Sequence, residues 1–344
     1  MPTFKIYESE EFAEENFIDD SLIVLWSSYE TRRNFISIPF LVESNSNKFR
    51  DEYLYWLKKI ENFSFKGKRV DSSTTIYPGL NLWELSTLKE KSLWKTPEIY
   101  SAVRLLAFVS YFESIPHEKF NKAIIQIHDP RVSKILTKYL ERYFERVEEK
   151  RISKKLTLRE LYDCLPEITK SFIFLLQYKW KTLLFSTPET KGKSLDGVYS
   201  FFSYFLLYKL DESKNFESNY WTDMHKILPD RQNWFHLYTK SKALPNIEKS
   251  RMIVNSINDP NYHTIFEDFQ TRSVLLRAIR NYLKFFFTYR FPSFSFINRQ
   301  INMEPDFSSL FEKHWKDSIY GKTCLQNFIL MESIKNLVNY LPKQ

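Results

Sequence analysis

A chain of 344 residues with only five glycines excludes the commonest phosphate-binding loops, since average usage of about 7% would supply roughly 24. Such loops need glycine where a Cβ would block backbone N–H groups from closing on the anion. Here Gly67, Gly79, Gly192, Gly197 and Gly321 stand singly, in no G-x-G-x-x-G or G-x-x-x-x-G-K-S/T pattern. The net charge of +8 suits polyanions, acidic lipid surfaces or phosphorylated ligands. No zinc-finger spacing, RNP-type strand or long basic run accompanies it, so no specific nucleic acid is expected. Aromatic residues make up 17% of the chain, which points to a core built on rings and is compatible with a ring-lined binding site. Cys164 and Cys324 form no CxxC and no cysteine–histidine cluster, which suits a reducing compartment. The expectation is a cytoplasmic protein, with peripheral contact to a membrane from the inside as an option.

In chain order, residues 1–20 read as an acidic segment, with Glu8, Glu10, Glu11, Glu14, Glu15, Asp19 and Asp20 against Lys5 alone. A buried strand follows at Leu22–Trp26, and an amphipathic helix at Phe49–Ile60. Thr96-Pro97-Glu98 combines a cap residue, a first-turn proline and an acid, and starts a helix over Ile99–Phe112. A second strand, Ala123–Ile127, leads through His128-Asp129-Pro130 into a helix with apolar positions from Val132 to Val147 at steps of three and four. Thr157–Phe185 reads as one long helix or two abutting ones. Two further strands are expected at Val198–Phe205 and Trp234–Tyr238, then a long helix over Tyr262–Thr288. A final pair over Leu310–Leu341 breaks near Gly321. Strands alternating with helices predict an α/β fold: a small parallel Rossmann-like sheet with a heavy helical coat. The expected divisions are an acidic segment 1–20, an α/β lobe 21–310, and C-terminal helices 311–344.

Ligands of open parallel sheets collect outside the C-terminal strand ends, which selects the candidate residues. After the first strand come Ser28, Glu30, Arg32 and Arg33, hydroxyl, carboxylate and guanidinium groups able to grip a sugar or phosphate. After the second comes Asp129, an N-cap by position and a general base by chemistry. After the third come Asn219, Tyr220 and Trp221, an amide beside two rings that suit a sugar face as well as a hydrophobic lid. After the fourth come Lys240 and Ser241. His236 lies within a strand and reads as a core residue. The basic, ring-rich stretch Leu283–Arg299 fits an anionic membrane surface, a partner lobe or simple packing. Six scattered histidines and the absence of a Gly-x-Ser-x-Gly elbow predict no metal, no cofactor and no serine hydrolase.

Several blocks, LWSSYETRR (Leu25–Arg33), the run Tyr77–Phe108, FESNYWTDMHKIL (Phe216–Leu228), NWFHLYTKS (Asn233–Ser241), Asp268–Phe285 and Gly321–Gln344, carry a resemblance. Together they resemble the N-terminal half of a bacterial surface carbohydrate biosynthesis family of glycosyltransferase-B type, linked to O-antigen and related envelope polysaccharides. The resemblance implies an acceptor-side lobe; the family continues into a donor-binding Rossmann-like lobe whose expected start is where this chain stops, which leaves a fragment, a split gene product or a lobe working with a separate partner as the alternatives. The resemblance also implies a glycan or lipid-linked glycan acceptor, and a nucleotide-sugar donor only if that second lobe is supplied. The catalytic base is then Asp129 or Glu30, with Ser28, Arg32, Arg33, Asn219, Tyr220, Trp221, Lys240 and Ser241 binding substrate. The alternative is a non-catalytic scaffold or membrane-associated protein that recruits a glycosyltransferase.

Overall fold

The computed structural model describes residues 2–14, 21–30, 35–77, 80–90, 93, 95–150, 162, 165–180, 182, 199–204, 214, 216–218, 221, 227–228, 231–258 and 260–341. In chain order its main elements begin with β1 (Thr3–Tyr7), β2 (Leu22–Leu25), β3 (Phe35–Ser37), α1 (Ile38–Ser44), α2 (Ser46–Asn62) and α3 (Glu98–Ser114). Then come β4 (Lys122–Gln126), α4 (Pro130–Leu140), β5 (Arg146–Glu149), α5 (Glu167–Phe174), β6 (Tyr199–Tyr204) and β7 (Gln232–Leu237). The chain continues with α6 (Ile247–Val254), β8 (Tyr262–Ile265), α7 (Arg272–Thr288), α8 (Phe294–Gln300), α9 (Ser308–Tyr320) and α10 (Lys322–Val338). None of the described helices is long and apolar enough to cross a membrane.

Two compact units form, one from Met1–Lys170 with Arg290–Cys324, the other from Ser171–Tyr289 with Leu325–Gln344. The first holds a five-stranded sheet of order β3-β2-β1-β4-β5, parallel throughout. The first strand lies at the centre and later strands add on both sides, the doubly wound arrangement. Phe4 of β1 packs edge-on against Phe112 of α3 at 5.3 Å and lies 6.2 Å from Phe108. The opposite face buries Tyr7, Ile23, Leu25 and Phe35 under Ala13 and Phe12 of a one-turn helix. Rings also build the helical part: Trp56 of α2 sits among Phe294, Phe307 and Phe311 at 5.1–5.9 Å, its indole N–H donating to Asn298 Oδ1 at 2.8 Å. The break between α9 and α10 falls at Gly321, where an added Cβ would lie 2.5 Å from Asp317 Oδ1.

The second unit holds the parallel sheet β6-β7-β8. Phe235, Phe266 and Phe269 bury one side with Leu337 of α10, while Leu244, Val254 and Ile265 form a second cluster. His236 and His263, on adjacent strands, stack at 5.2 Å with Nε2 and Nδ1 2.9 Å apart. His236 is thus a packed core residue, as its place in a strand implies.

Four sequence expectations are corrected. Residues 1–20 contain the central strand β1, hidden because Lys5 interrupts its apolar run; Lys5 is buried, and burial lowers its pKa, aided by repulsion from Lys150. Strands expected in one sheet divide between two: Leu22–Trp26 and Ala123–Ile127 fall in the first unit, Val198–Phe205 and Trp234–Tyr238 in the second. The helix after Asp129 stops at Leu140, and Val147 belongs to β5 beside Ala123. Tyr262–Thr288 opens with β8 and a 3-10 turn, the helix starting only after the Thr271 cap. Of Thr157–Phe185, the described part is helical over α5 and continues as a π-helix at Leu175–Lys179.

Candidate functional site

The doubly wound order separates the exits of β1 and β4, neighbours in the sheet whose chains then leave in opposite directions. That topological switch point is where open α/β sheets leave a crevice for ligands. Here the ladder runs on past the strands: Glu8 N–H donates to the Gln126 carbonyl at 2.9 Å and Ser27 N–H to the Glu8 carbonyl at 2.9 Å. The Glu8 side chain stands at the switch point, 17% exposed. Its Oε1 accepts from Ser27 Oγ at 2.5 Å, and its Oε2 from the His128 backbone N–H at 2.9 Å, with His128 Nδ1 3.4 Å away. Arg104 reaches in from α3 and donates to Ser27 Oγ at 3.3 Å. Burial lowers the Arg104 pKa, and the charge of Glu8 works against that loss.

A second tier surrounds this centre. Ser28 Oγ lies 3.4 Å from Glu10 Oε2, and the Ser28 carbonyl accepts from Ser37 Oγ at 2.7 Å. Tyr29 donates to Glu43 at 2.7 Å, a bond that raises the phenol pKa. The rings of Tyr29 and Tyr100 are more than half exposed. Both interact electrostatically with Arg104. The turn after β1 carries Glu8-Ser9-Glu10 where a phosphate loop would carry glycine. Three carboxylates (Glu8, Glu10 and Glu43), serine hydroxyls and exposed rings around one guanidinium favour a neutral, hydroxyl-rich ligand and repel a diphosphate.

Asp129 caps α4 and is clamped by its neighbour. Its Oδ1 accepts from Arg131 N and Nε at 2.9 and 3.1 Å, its Oδ2 from Arg131 Nη2 at 2.8 Å. Arg131 also donates to Glu98 at 2.9 Å, and Glu98 meets His314 Nε2 at 2.8 Å. Burial opposes ionisation of Glu98, but hydrogen bonds from His314 and Arg131 pull its pKa down to about 2. These are groups engaged in holding α3, α4 and α9 in place.

Of the residues expected to form a site, Ser28, Glu30 and Asp129 lie along the C-terminal edge of the first sheet, with Glu30 N–H directed at Ser28 Oγ at 3.5 Å. Trp221, Lys240 and Ser241 belong to the second unit. Trp221 packs edge-on against Phe201 at 5.2 Å and donates to the Phe202 carbonyl at 3.2 Å, while Ser241 closes a turn with Leu244 and Lys240 is exposed. Arg32, Arg33, Asn219 and Tyr220 lie outside the described residues. Glu8, Arg104 and His128 were not singled out from sequence. Recognising Phe4 and Ile6 as strand positions would have placed Glu8 at a strand exit. Among the described residues, no three His, Cys, Asp or Glu side chains converge as metal ligands. No family model, curated protein or solved structure matches this chain.

Proposed function

We propose that the switch point of the first unit binds a sugar hydroxyl, as the acceptor site of a glycosyltransferase-like protein in bacterial surface polysaccharide assembly. The observation that carries this reading is the Glu8 carboxylate, held between β1 and β4 by Ser27 Oγ and the His128 N–H. A carboxylate so placed accepts a hydrogen bond from an acceptor hydroxyl. It takes the proton as the hydroxyl oxygen bonds to the donor's anomeric carbon and the glycosyl–phosphate bond breaks. Tyr29 and Tyr100 supply faces for the ring's C–H groups, and Arg104 fixes Ser27. Glu8, in this reading, takes the base role expected of Asp129 or Glu30, because Glu8 stands at the switch point with neutral hydrogen-bond donors, whereas Asp129 is charge-paired with the Arg131 guanidinium in the cluster that joins α3, α4 and α9. In this reading the protein works in the cytoplasm at the inner-membrane surface, where lipid-linked glycan acceptors are presented.

The test is saturation-transfer NMR with a panel of monosaccharides and short bacterial glycans, followed by transfer assays with nucleotide sugars. Glu8→Gln should weaken binding of a recognised saccharide about tenfold, the scale of losing a hydrogen bond to a charged group, and abolish transfer. Saccharide binding indifferent to Glu8→Gln and Tyr100→Ala would remove the site. Glu8-dependent binding with no transfer would favour the recruiting, non-catalytic role instead.

A further inference from the structure

A cavity of about 490 Å³ opens in the first unit between α4, α8, α9 and the loop 301–306. Its volume is within the range of small-ligand sites, roughly 300–1,000 Å³. One wall is a ladder of cations, Lys134, Lys138 and Arg142, at successive spacings of four residues. Like charges at that spacing repel, so each asks for a counter-charge. Asp306 Oδ2 lies 3.5 Å from Lys138 Nζ, and Glu304 binds Arg142. Lys134 meets no carboxylate among the described residues. Across the cavity, Lys316 pairs with Glu312 at 3.2 Å. Arg299 spends its hydrogen bonds on Ser295, its carbonyl at 3.3 Å and its Oγ at 3.4 Å. The cavity is therefore lined by five cations and three carboxylates, and among the described residues Lys134 and Arg299 are the two of these cations without an anionic partner.

The floor is rigid. Asp306 Oδ1 accepts from Asn298 Nδ2 at 2.7 Å, Ser308 N at 3.0 Å and Ser308 Oγ at 2.5 Å, while Asn298 is fixed in turn by Trp56. Burial works against its charge, but these donors and Lys138 hold the Asp306 carboxyl below the usual range, so it stays ionised beside Lys138. We propose that this cleft binds a phosphomonoester of a small polyhydroxyl compound. A phosphomonoester carries about −1.5 to −2 charges at neutral pH, which matches the two uncompensated cations. Ser309 and Asn302, on the same lining, offer a hydroxyl and an amide to its hydroxyl groups. A half-open cleft of this size, with two uncompensated cations at its exposed rim, suits a small anion better than a nucleic acid or a membrane, either of which engages many cations over a broad surface. This site is separate from the Glu8 crevice and does not depend on it.

The test is isothermal titration of the full chain with glycerol 3-phosphate, inorganic phosphate, glycerol and sulfate at matched ionic strength. Glycerol 3-phosphate should bind more tightly than phosphate or sulfate, and glycerol not at all. Lys134→Glu and Arg299→Glu should each weaken it at least about tenfold, and Lys134→Gln and Arg299→Gln less. Circular dichroism confirms folding, and both side chains are exposed. Glu8→Gln should leave this binding unchanged, so loss of saccharide binding and loss of phosphoester binding are separable. Equal affinity for all anions, or wild-type affinity in both charge-reversed variants, would overturn the proposal.

Discussion

Glu98 illustrates how a single carboxylate can tie stability to pH. Its side chain is 12% exposed and its pKa falls from an ordinary 4.5 to about 2. A group whose folded pKa lies below its unfolded value stabilises fully above the unfolded pKa, and that stabilisation is lost as pH drops through the folded one. The window here runs from about pH 4.5 down to about pH 2, and the contribution is on the order of 3 kcal/mol at most. Glu98→Gln should therefore lower stability at pH 7 and remove this component of the acid limb in urea titrations between pH 5 and pH 2, estimated from the same linkage. An acid limb of unchanged steepness in the variant would refute the assignment. The same cluster explains why Asp129 serves structure: it caps α4 and both of its oxygens are held by Arg131, which ties it to Glu98.

Caps and strand exits matter more to the site than helix interiors do. Ser37 is buried at the start of α1, accepting from Phe40 N–H at 3.1 Å and donating to the Ser28 carbonyl at 2.7 Å. One hydroxyl thus caps a helix and pins the loop that carries Ser28. Ser37→Ala should cost about 1–2 kcal/mol and speed amide exchange around Ser28 and Glu30; unchanged exchange there would show that the loop is held by other contacts. Local signals of this kind made α3 readable, because Thr96-Pro97-Glu98 announces a helix whatever surrounds it. The four strands read from apolar runs are present, and so is the helix break at Gly321. What stayed hidden depends on distant packing. Lys5 breaks the apolar run of β1 yet is buried in the central strand, so Glu8 went unrecognised as a strand-exit residue. Tyr262–Ile265 pairs with β7, and nothing in its four residues separates a strand from the first turn of the helix that follows. Sheet membership was equally illegible: alternation of strands and helices fixes parallel pairing, not which strands share a core, and so Trp221 and Lys240 were grouped with Ser28.

At the scale of the whole chain, a low glycine content and a high ring content have one common expression: cores knitted by aromatic side chains around two parallel sheets. The chain passes from one unit to the other after Lys170, after Tyr289 and after Cys324, so its last twenty residues complete a core begun far earlier. Leu337, 1% exposed, packs with Phe235, Phe266 and Phe269. Truncating a buried leucine removes its transfer free energy and leaves a cavity, at a cost of about 2–5 kcal/mol. If each sheet owns its core, the loss from Leu337→Ala should be read locally. Hydrogen exchange should accelerate at the amides of β7 and β8, while those of β1 and β4 keep their protection. Acceleration spread evenly over both sheets would mean that the units unfold as one cooperative body, and the Glu8 crevice would then owe its rigidity to the C-terminal helix as much as to its own strands.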